Sequence, residues 1–153
     1  MGRSPPGLYR ATLMRLSPDE ARRRFSDSRC AHLAMADDKG RPHLVVVTFA
    51  AVGDVVVTAV DSKPKTTVRL HRLRLIDANP QVSLLADHYD DADWTRLWWA
   101  RADGEARVLT HADDAVEPRA WLAAKYPQYA SAPPTGPVIR ITVTRWQGWA
   151  YAD

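Results

Sequence analysis

The stretch AHLAMADDKGRPHLVVVTFAAVGDVVVTAV, residues 31–60, decides the fold class. It holds three apolar runs separated by two turn signals. Ala31–Ala36 is short, and Asp37-Asp38-Lys39-Gly40 follows, with Gly placed for the positive φ of a tight hairpin. Arg41–Ala51 is longer and rich in valine, Val52-Gly53-Asp54 turns again, and Val55–Val60 is the third run. β-branched residues at this density favour extended backbone, so the stretch predicts an antiparallel meander of three strands. Within it, Leu44–Val47 and Val55–Val57 are apolar without alternation. A strand apolar on both faces has both covered. One face meets the core, and the other meets a helix, a ligand or a second subunit.

Working outward, Ser17-Pro18-Asp19-Glu20 reads as a helix start: a capping Ser, Pro at the first helical position, and Glu three residues on completing a capping box. This helix runs to about Ser26, with Ala21 and Phe25 inward and Arg22-Arg23-Arg24 solvated. Beyond the meander, Asp61–Lys65 is a polar loop. Thr66–Asp77 reads as a helix with Val68, Leu73 and Ile76 on one stripe, and Asn79-Pro80 ends it. Gln81–Asp87 is a strand and His88–Asp93 an acidic loop. Leu97–Ala102 and Glu105–His111 flank Asp103-Gly104, a hairpin signal. Asp113–Lys125 reads as an amphipathic helix with Trp121 and Leu122 inward. Tyr126–Pro137 is an irregular, Pro-rich connection, and Val138–Trp146 a last strand that Trp149–Tyr151 extends. About six antiparallel strands with three inserted helices, without βαβ alternation, are buried most economically as a small closed or partly closed barrel.

With 153 residues, 46% hydrophobic and 25% charged, the chain fits one domain over residues 15–153. Residues 1–14 read as a flexible arm without the apolar core of a secretory signal. Intrinsic disorder and a membrane span are excluded by composition and by the shortness of the apolar runs. The net charge of +3 is spread rather than striped, which argues against a nucleic-acid partner. The Arg-rich helix after residue 65 also lacks interleaved aromatics. Arginine outnumbers lysine 17 to 4 and alanine is abundant, the pattern of GC-rich bacterial genomes such as those of actinomycetes. Cys30 is the only cysteine, so no internal disulfide forms and a reducing cytoplasm is expected.

No nucleophile elbow, GxGxxG or phosphate-binding P-loop motif is present. None of the five His pairs with another His or a Cys at metal spacing. His88 with Asp87, Asp90, Asp91 and Asp93 reads as a solvated acidic loop rather than a metal site. The segment Thr58–Thr67 leaves a strand, crosses a loop with Lys63 and Lys65, and enters a helix. Hydroxyls, ammonium groups and helix N–H groups together suit an anion such as a cofactor phosphate, or form a solvated basic loop. Trp98 and Trp99 are adjacent on a strand and point to opposite faces. One fills the core. The other packs on the surface, meets a subunit interface, or meets a planar ligand. Trp146 and Trp149 read as packing residues.

The order of these features carries a resemblance: a capped helix, a Val-rich hairpin, Thr58-x-x-x-Ser62-Lys63-x-Lys65, a helix ending in DANPQVSLL (77–85), then an aromatic strand and RADGEARV (101–108). From about Leu16 to Trp149 the chain resembles the pyridoxamine 5′-phosphate oxidase-like split β-barrel superfamily, and within it the actinobacterial subgroup of coenzyme F420-dependent oxidoreductases. The resemblance implies a mainly β (α+β) fold, a six-stranded antiparallel split β-barrel of FMN-binding type with about three flanking helices. It further implies a homodimer with two cofactor sites between subunits, taking F420 or alternatively FMN. Val46, Val47 and Thr48 match the strand under the cofactor ring, and Val57 and Thr58 a second ring-contacting pair. Ser62, Lys63 and Lys65 match the phosphate loop, and Trp99 an interface position touching the cofactor. Arg69 and Arg72 either meet the acidic tail of F420 or lie on a solvated helix face. The implied activity is hydride transfer between the cofactor and a small organic substrate, with no side chain assigned to catalysis. An FMN-dependent oxidase or reductase is the alternative, and a non-catalytic flavin, deazaflavin or haem carrier is a third reading. The paired Arg and Lys of true pyridoxamine phosphate oxidases are absent, with His43 and Thr48 nearby. This argues against pyridoxamine phosphate as substrate and against FMN.

Overall fold

The computed structural model describes residues 14–60 and 66–151, with residues 66–70 described by backbone alone. The expected N-terminal arm lies almost wholly outside the described residues. A two-residue strand, β1 (Arg15–Leu16), precedes α1 (Pro18–Asp27). Ser17 is extended and its hydroxyl accepts the Glu20 N–H at 3.1 Å. The other half of the capping box does not form. The Glu20 carboxylate turns to Arg23 at 2.6 Å and Arg24 at 2.9 Å, because two guanidinium groups outcompete one N–H.

β2 (Ala31–Ala36) and β3 (Pro42–Val47) pair across Gly40, whose φ is 78°. β4 (Ala50–Val52) and β5 (Val55–Ala59) pair across Gly53, whose φ is 57°. Then come α2 (Thr66–Ala78), β6 (Gln81–His88), β7 (Trp98–Val108), α3 (Val116–Lys125), α4 (Pro127–Ser131) and β8 (Val138–Ala150). Short 3₁₀ turns precede β7 and α3. All strand pairs are antiparallel, in the order β3-β2-β6-β7-β8-β5-β4, with β1 beside β8.

The two ends of that order are neighbours in the chain, since only Thr48 and Phe49 separate β3 from β4. Three Cα steps span at most about 11 Å, so the sheet must curl until its edges meet. Pro42–Val52 then acts as one bent run, its first half paired with β2 and its second with β5. With that run counted as one strand and β1 set aside, six strands enclose the core: an antiparallel split barrel with helices packed around it.

Three details differ from expectation. The three-run meander is bent, because its middle run pairs with β2 through β3 and with β5 through β4, and never with both along one straight strand. Asp103-Gly104 is not a hairpin. It lies inside β7, whose 11 residues are held extended between β6 and β8, and it forms a register shift against β8. Lastly, the Pro-rich connection contains α4.

The main core fills the barrel. Phe25 of α1 lies 4.7 Å from Phe49 and 5.4 Å from Trp146, centroid to centroid. A second cluster lies outside β5, where Val57, Ala59 and Val138 pack under Leu122 of α3. The doubly apolar β5 is thus covered by the barrel on one face and a helix on the other. β3 is not, since Leu44 and Val46 are 68% and 64% exposed.

Candidate functional site

The side chains left uncovered on β3 belong to a larger outward face. The pairing register sets Val46 beside His32, Leu85 and Arg101 in successive strands, and Asp87 beside Trp99 and Trp149. Between them lies a cavity of about 540 Å³, bordered by Leu44, Leu85, Trp98, Trp99 and Trp149, with His32, Asp87 and Arg101 among its polar groups. Arg101 pairs with Asp103 at 3.1 Å, and Asp103 accepts the Ser83 hydroxyl at 2.7 Å. These bonds fix a polar edge beside an aromatic wall.

Trp98 and Trp99 both border the cavity, so adjacency on one strand does not send one of them wholly into the core. Trp98 packs against the main core, stacks on His88 at 6.5 Å, and has the Arg24 guanidinium 5.8 Å from its ring. Trp99 stands opposite Trp149. Trp149 therefore lines the cavity rather than serving only as packing; β8 continues through Gly148 and carries it into register with Trp99. Trp146 does pack, and its indole N–H donates to Asp54 at 2.9 Å. That bond, followed by the one from Arg22, lowers the Asp54 pKa.

A second group of expected residues meets at the bend between β3 and β4. The Thr58 hydroxyl donates to the Thr48 carbonyl at 2.7 Å, and the Thr48 hydroxyl lies 2.9 Å from the Tyr129 hydroxyl. The Phe49 N–H donates to Tyr126 Oη at 3.1 Å. The Tyr126 hydroxyl, with one proton to give, lies 3.0 Å from the Phe49 carbonyl and 2.8 Å from that of Arg29. β3 is an edge strand of the ladder, so alternate residues turn their N–H and C=O groups away from β2. Val46 points outward. Val47, Val57 and Thr58 are buried, so any ligand contact they make is through backbone. Tyr126 and Tyr129 were not legible as part of this group, because they sit in a segment whose sequence reads only as an irregular connection.

Ser62, Lys63 and Lys65 lie outside the described residues, as does the side chain of Arg69. Arg72 is half-buried on α2, burial lowers its pKa, and its Nε meets no acceptor among the described residues. Across from α2, His43 of β3 stacks edge-on against His71 at 5.1 Å, with its Nε2 buried and unbonded. Trp99 is three strands from Val46, about 14 Å at ordinary strand spacing. One chain therefore does not bring the two together.

Among the described residues no group of three or more His, Cys, Asp or Glu is placed to hold a metal ion. In the acidic loop, Asp90 accepts the N–H groups of Ala92 and Asp93 and pairs with Arg96 at 3.3 Å. Asp93 caps the next turn by accepting the Thr95 N–H at 3.0 Å. Among the same residues, no helix is long and apolar enough to cross a membrane.

A family model described as pyridoxamine 5′-phosphate oxidase matches residues 17–150 of this barrel. The chain belongs to that family. Several solved structures share the fold of this family member. A conserved hypothetical protein from Mycobacterium tuberculosis is 20% identical, with 89% of this chain and 86% of that one covered and a TM-score of 0.66. An FAD-binding protein from Mesorhizobium loti is 18% identical, with coverages of 88% and 94% and a TM-score of 0.67. A heme binding protein from Mycobacterium smegmatis is 17% identical, with coverages of 86% and 52% and a TM-score of 0.65. No curated protein matches the chain.

Proposed function

We propose that this pyridoxamine 5′-phosphate oxidase family member is an oxidoreductase that holds coenzyme F420 between two copies of the chain and moves a hydride between it and a small organic substrate. The observation that carries the reading is the uncovered apolar face, with Leu44 and Val46 exposed beside a cavity walled by Trp99 and Trp149. A second copy seated there covers β3. It also brings the Val46–Thr48 edge of one subunit toward Trp99 of the other, which a single chain holds apart.

The residues suit such a cofactor. The cavity volume of about 540 Å³ is that of an ordinary ligand site, and its aromatic walls suit a planar ring. N–H and C=O groups at the β3 edge suit the polar rim of that ring. A bound deazaflavin supplies the hydride chemistry. The chain supplies binding, orientation and exclusion of water. In this reading Ser62, Lys63 and Lys65 hold a phosphate, Arg69 and Arg72 face an acidic tail, and Val57 and Thr58 contribute backbone. Arg72 supports that role, because its buried Nε lacks an acceptor among the described residues. No side chain is assigned a proton transfer. The reading sets the enzyme in the reducing cytoplasm of an actinobacterium, in keeping with its composition and lone cysteine.

The second reading, FMN or FAD in the same place, is favoured by the flavin-binding name of the Mesorhizobium loti protein. A haem carrier without turnover is supported in the same way by the Mycobacterium smegmatis protein. Titration of the purified protein with F420, FMN, FAD and haem, followed by tryptophan quenching, separates these readings. Tight F420 binding with weak flavin binding is expected. Preference for FMN, FAD or haem moves the protein to that branch, and binding of none removes the cofactor reading.

A further inference from the structure

The bend at Thr48-Phe49 is held from outside the barrel by side chains of the α3–α4 corner. β3 and β4 pair with different strands, so their two-residue joint belongs to no ladder. Its polar groups find partners elsewhere. The Thr48 carbonyl accepts from Thr58, and the Phe49 N–H and C=O both meet the Tyr126 hydroxyl. The Thr48 hydroxyl meets that of Tyr129. Both tyrosines belong to the α3–α4 corner, and their rings pack edge to face at 5.6 Å. Lys125 anchors the same corner by donating to the Ser26 and Ser28 carbonyls at 3.2 and 2.7 Å, at the end of α1.

We infer that Tyr126 and Tyr129 are positioning residues for the cofactor-facing backbone of Val47–Thr48. The inference rests on the proposed function and adds the element that aims its ligand-binding edge. A dipeptide free of both ladders has soft φ and ψ, and backbone donors orient a ring only when those angles are held. Tyr126 holds both backbone groups of Phe49, and Tyr129 holds the Thr48 side chain. Rotation of the joint breaks these bonds together. Rotation also turns the last N–H and C=O groups of β3 away from the barrel edge.

The test uses Tyr129→Phe, which removes one hydroxyl and leaves the ring in place, with Thr48→Val and the double variant to close a cycle. Affinity for F420 and for FMN, the visible circular dichroism of whichever binds, and the melting temperature are measured for each. Tyr129→Phe is expected to weaken binding roughly three- to ten-fold, the reach of one hydrogen bond, and to alter the dichroism of the bound ring. The double variant is expected to bind no more weakly than the weaker single variant, since both remove the same bond. Val82→Ala, a packing change in β6 at the end of the ladder far from the joint, is the control. It lowers the melting temperature but leaves affinity and dichroism unchanged. Wild-type affinity and dichroism in Tyr129→Phe, with cofactor bound by the wild type, overturn the positioning role alone. Additive losses in the double variant do the same. Absence of F420 and FMN binding in the wild type overturns the proposed cofactor reading, and this inference with it.

Discussion

Gly104 shows how much one residue settles. A Cβ there would collide with the Thr142 carbonyl oxygen and lie 3.0 Å from the Val143 Cα, both backbone groups that cannot swing aside. The bulge at Asp103/Gly104 therefore needs a residue without a side chain for close approach of β8, not for a turn. Gly104→Ala is expected to lower stability by at least about 2 kcal/mol, as overpacking against a rigid neighbour does. Denaturant unfolding reads this directly, and a wild-type midpoint would show that β8 can yield. Glu20 makes a different single-residue case. Hydrogen bonds from Arg23 and then Arg24 lower its pKa from 4.5 to about 2. The folded value lies below the unfolded one, so the contribution is complete above about pH 4.5 and fades as pH falls toward 2. Glu20→Gln should shrink the acid-induced loss of stability across that window. The difference should narrow in high salt, since the pair is on the surface.

At the scale of elements, the C-terminus of α3 closes two others. Lys125 caps the last carbonyls of α1, and its ammonium sits 3.7 Å above the Phe49 ring. Lys125→Met keeps the stem but leaves carbonyls without a donor, and is expected to cost about 1–3 kcal/mol in a thermal or denaturant melt. Burial, followed by the nearby Arg29 charge, lowers the Lys125 pKa from 10.5 to about 8. Between those values the unfolded chain holds the proton more firmly than the folded one, so stability should rise as pH goes from 8 toward 10.5. The carbonyl bonds and the Phe49 ring favour the ammonium and moderate that rise. The rise should be absent in Lys125→Met, and its persistence there would assign it to another group.

At the scale of the molecule, the two doubly apolar strands have different fates. The outer face of β5 is covered by α3, whereas Leu44 and Val46 of β3 have no cover within the chain. The double variant Leu44→Glu/Val46→Glu changes side chains already facing solvent in one chain, so its melting temperature as a monomer should fall little. Two charges facing a second copy should break the assembly. Sedimentation at micromolar concentration is expected to give a dimer for the wild type and a monomer for the variant, with cofactor binding lost alongside. A wild-type monomer would remove the interface-bound site.

Local chemistry explains what could be read in advance. Ser17 caps α1 and Gly40 and Gly53 turn the first two hairpins, because a cap or a tight turn is decided within about four residues. Ala31–Ala36 and the start of α2 at Thr66 are legible for the same reason, since periodicity switches sharply there. Non-local pairing decided the rest. Asp103-Gly104 carries the chemistry of a turn, but two long partner strands hold it extended. The Val-rich run bends at Thr48-Phe49 because the barrel must close. Trp149 joins the cavity because β8 runs past Gly148 in register with β7. Tyr126 and Tyr129 reach Thr48 and Phe49 across about eighty positions of sequence. The sequence by itself determined most of the strand segments, the turns at Gly40 and Gly53, the starts of α1 and α2, and the family. Only the tertiary structure decided which edges meet, which apolar face stays uncovered, and which side chains hold the bend, because those depend on partners distant in the chain.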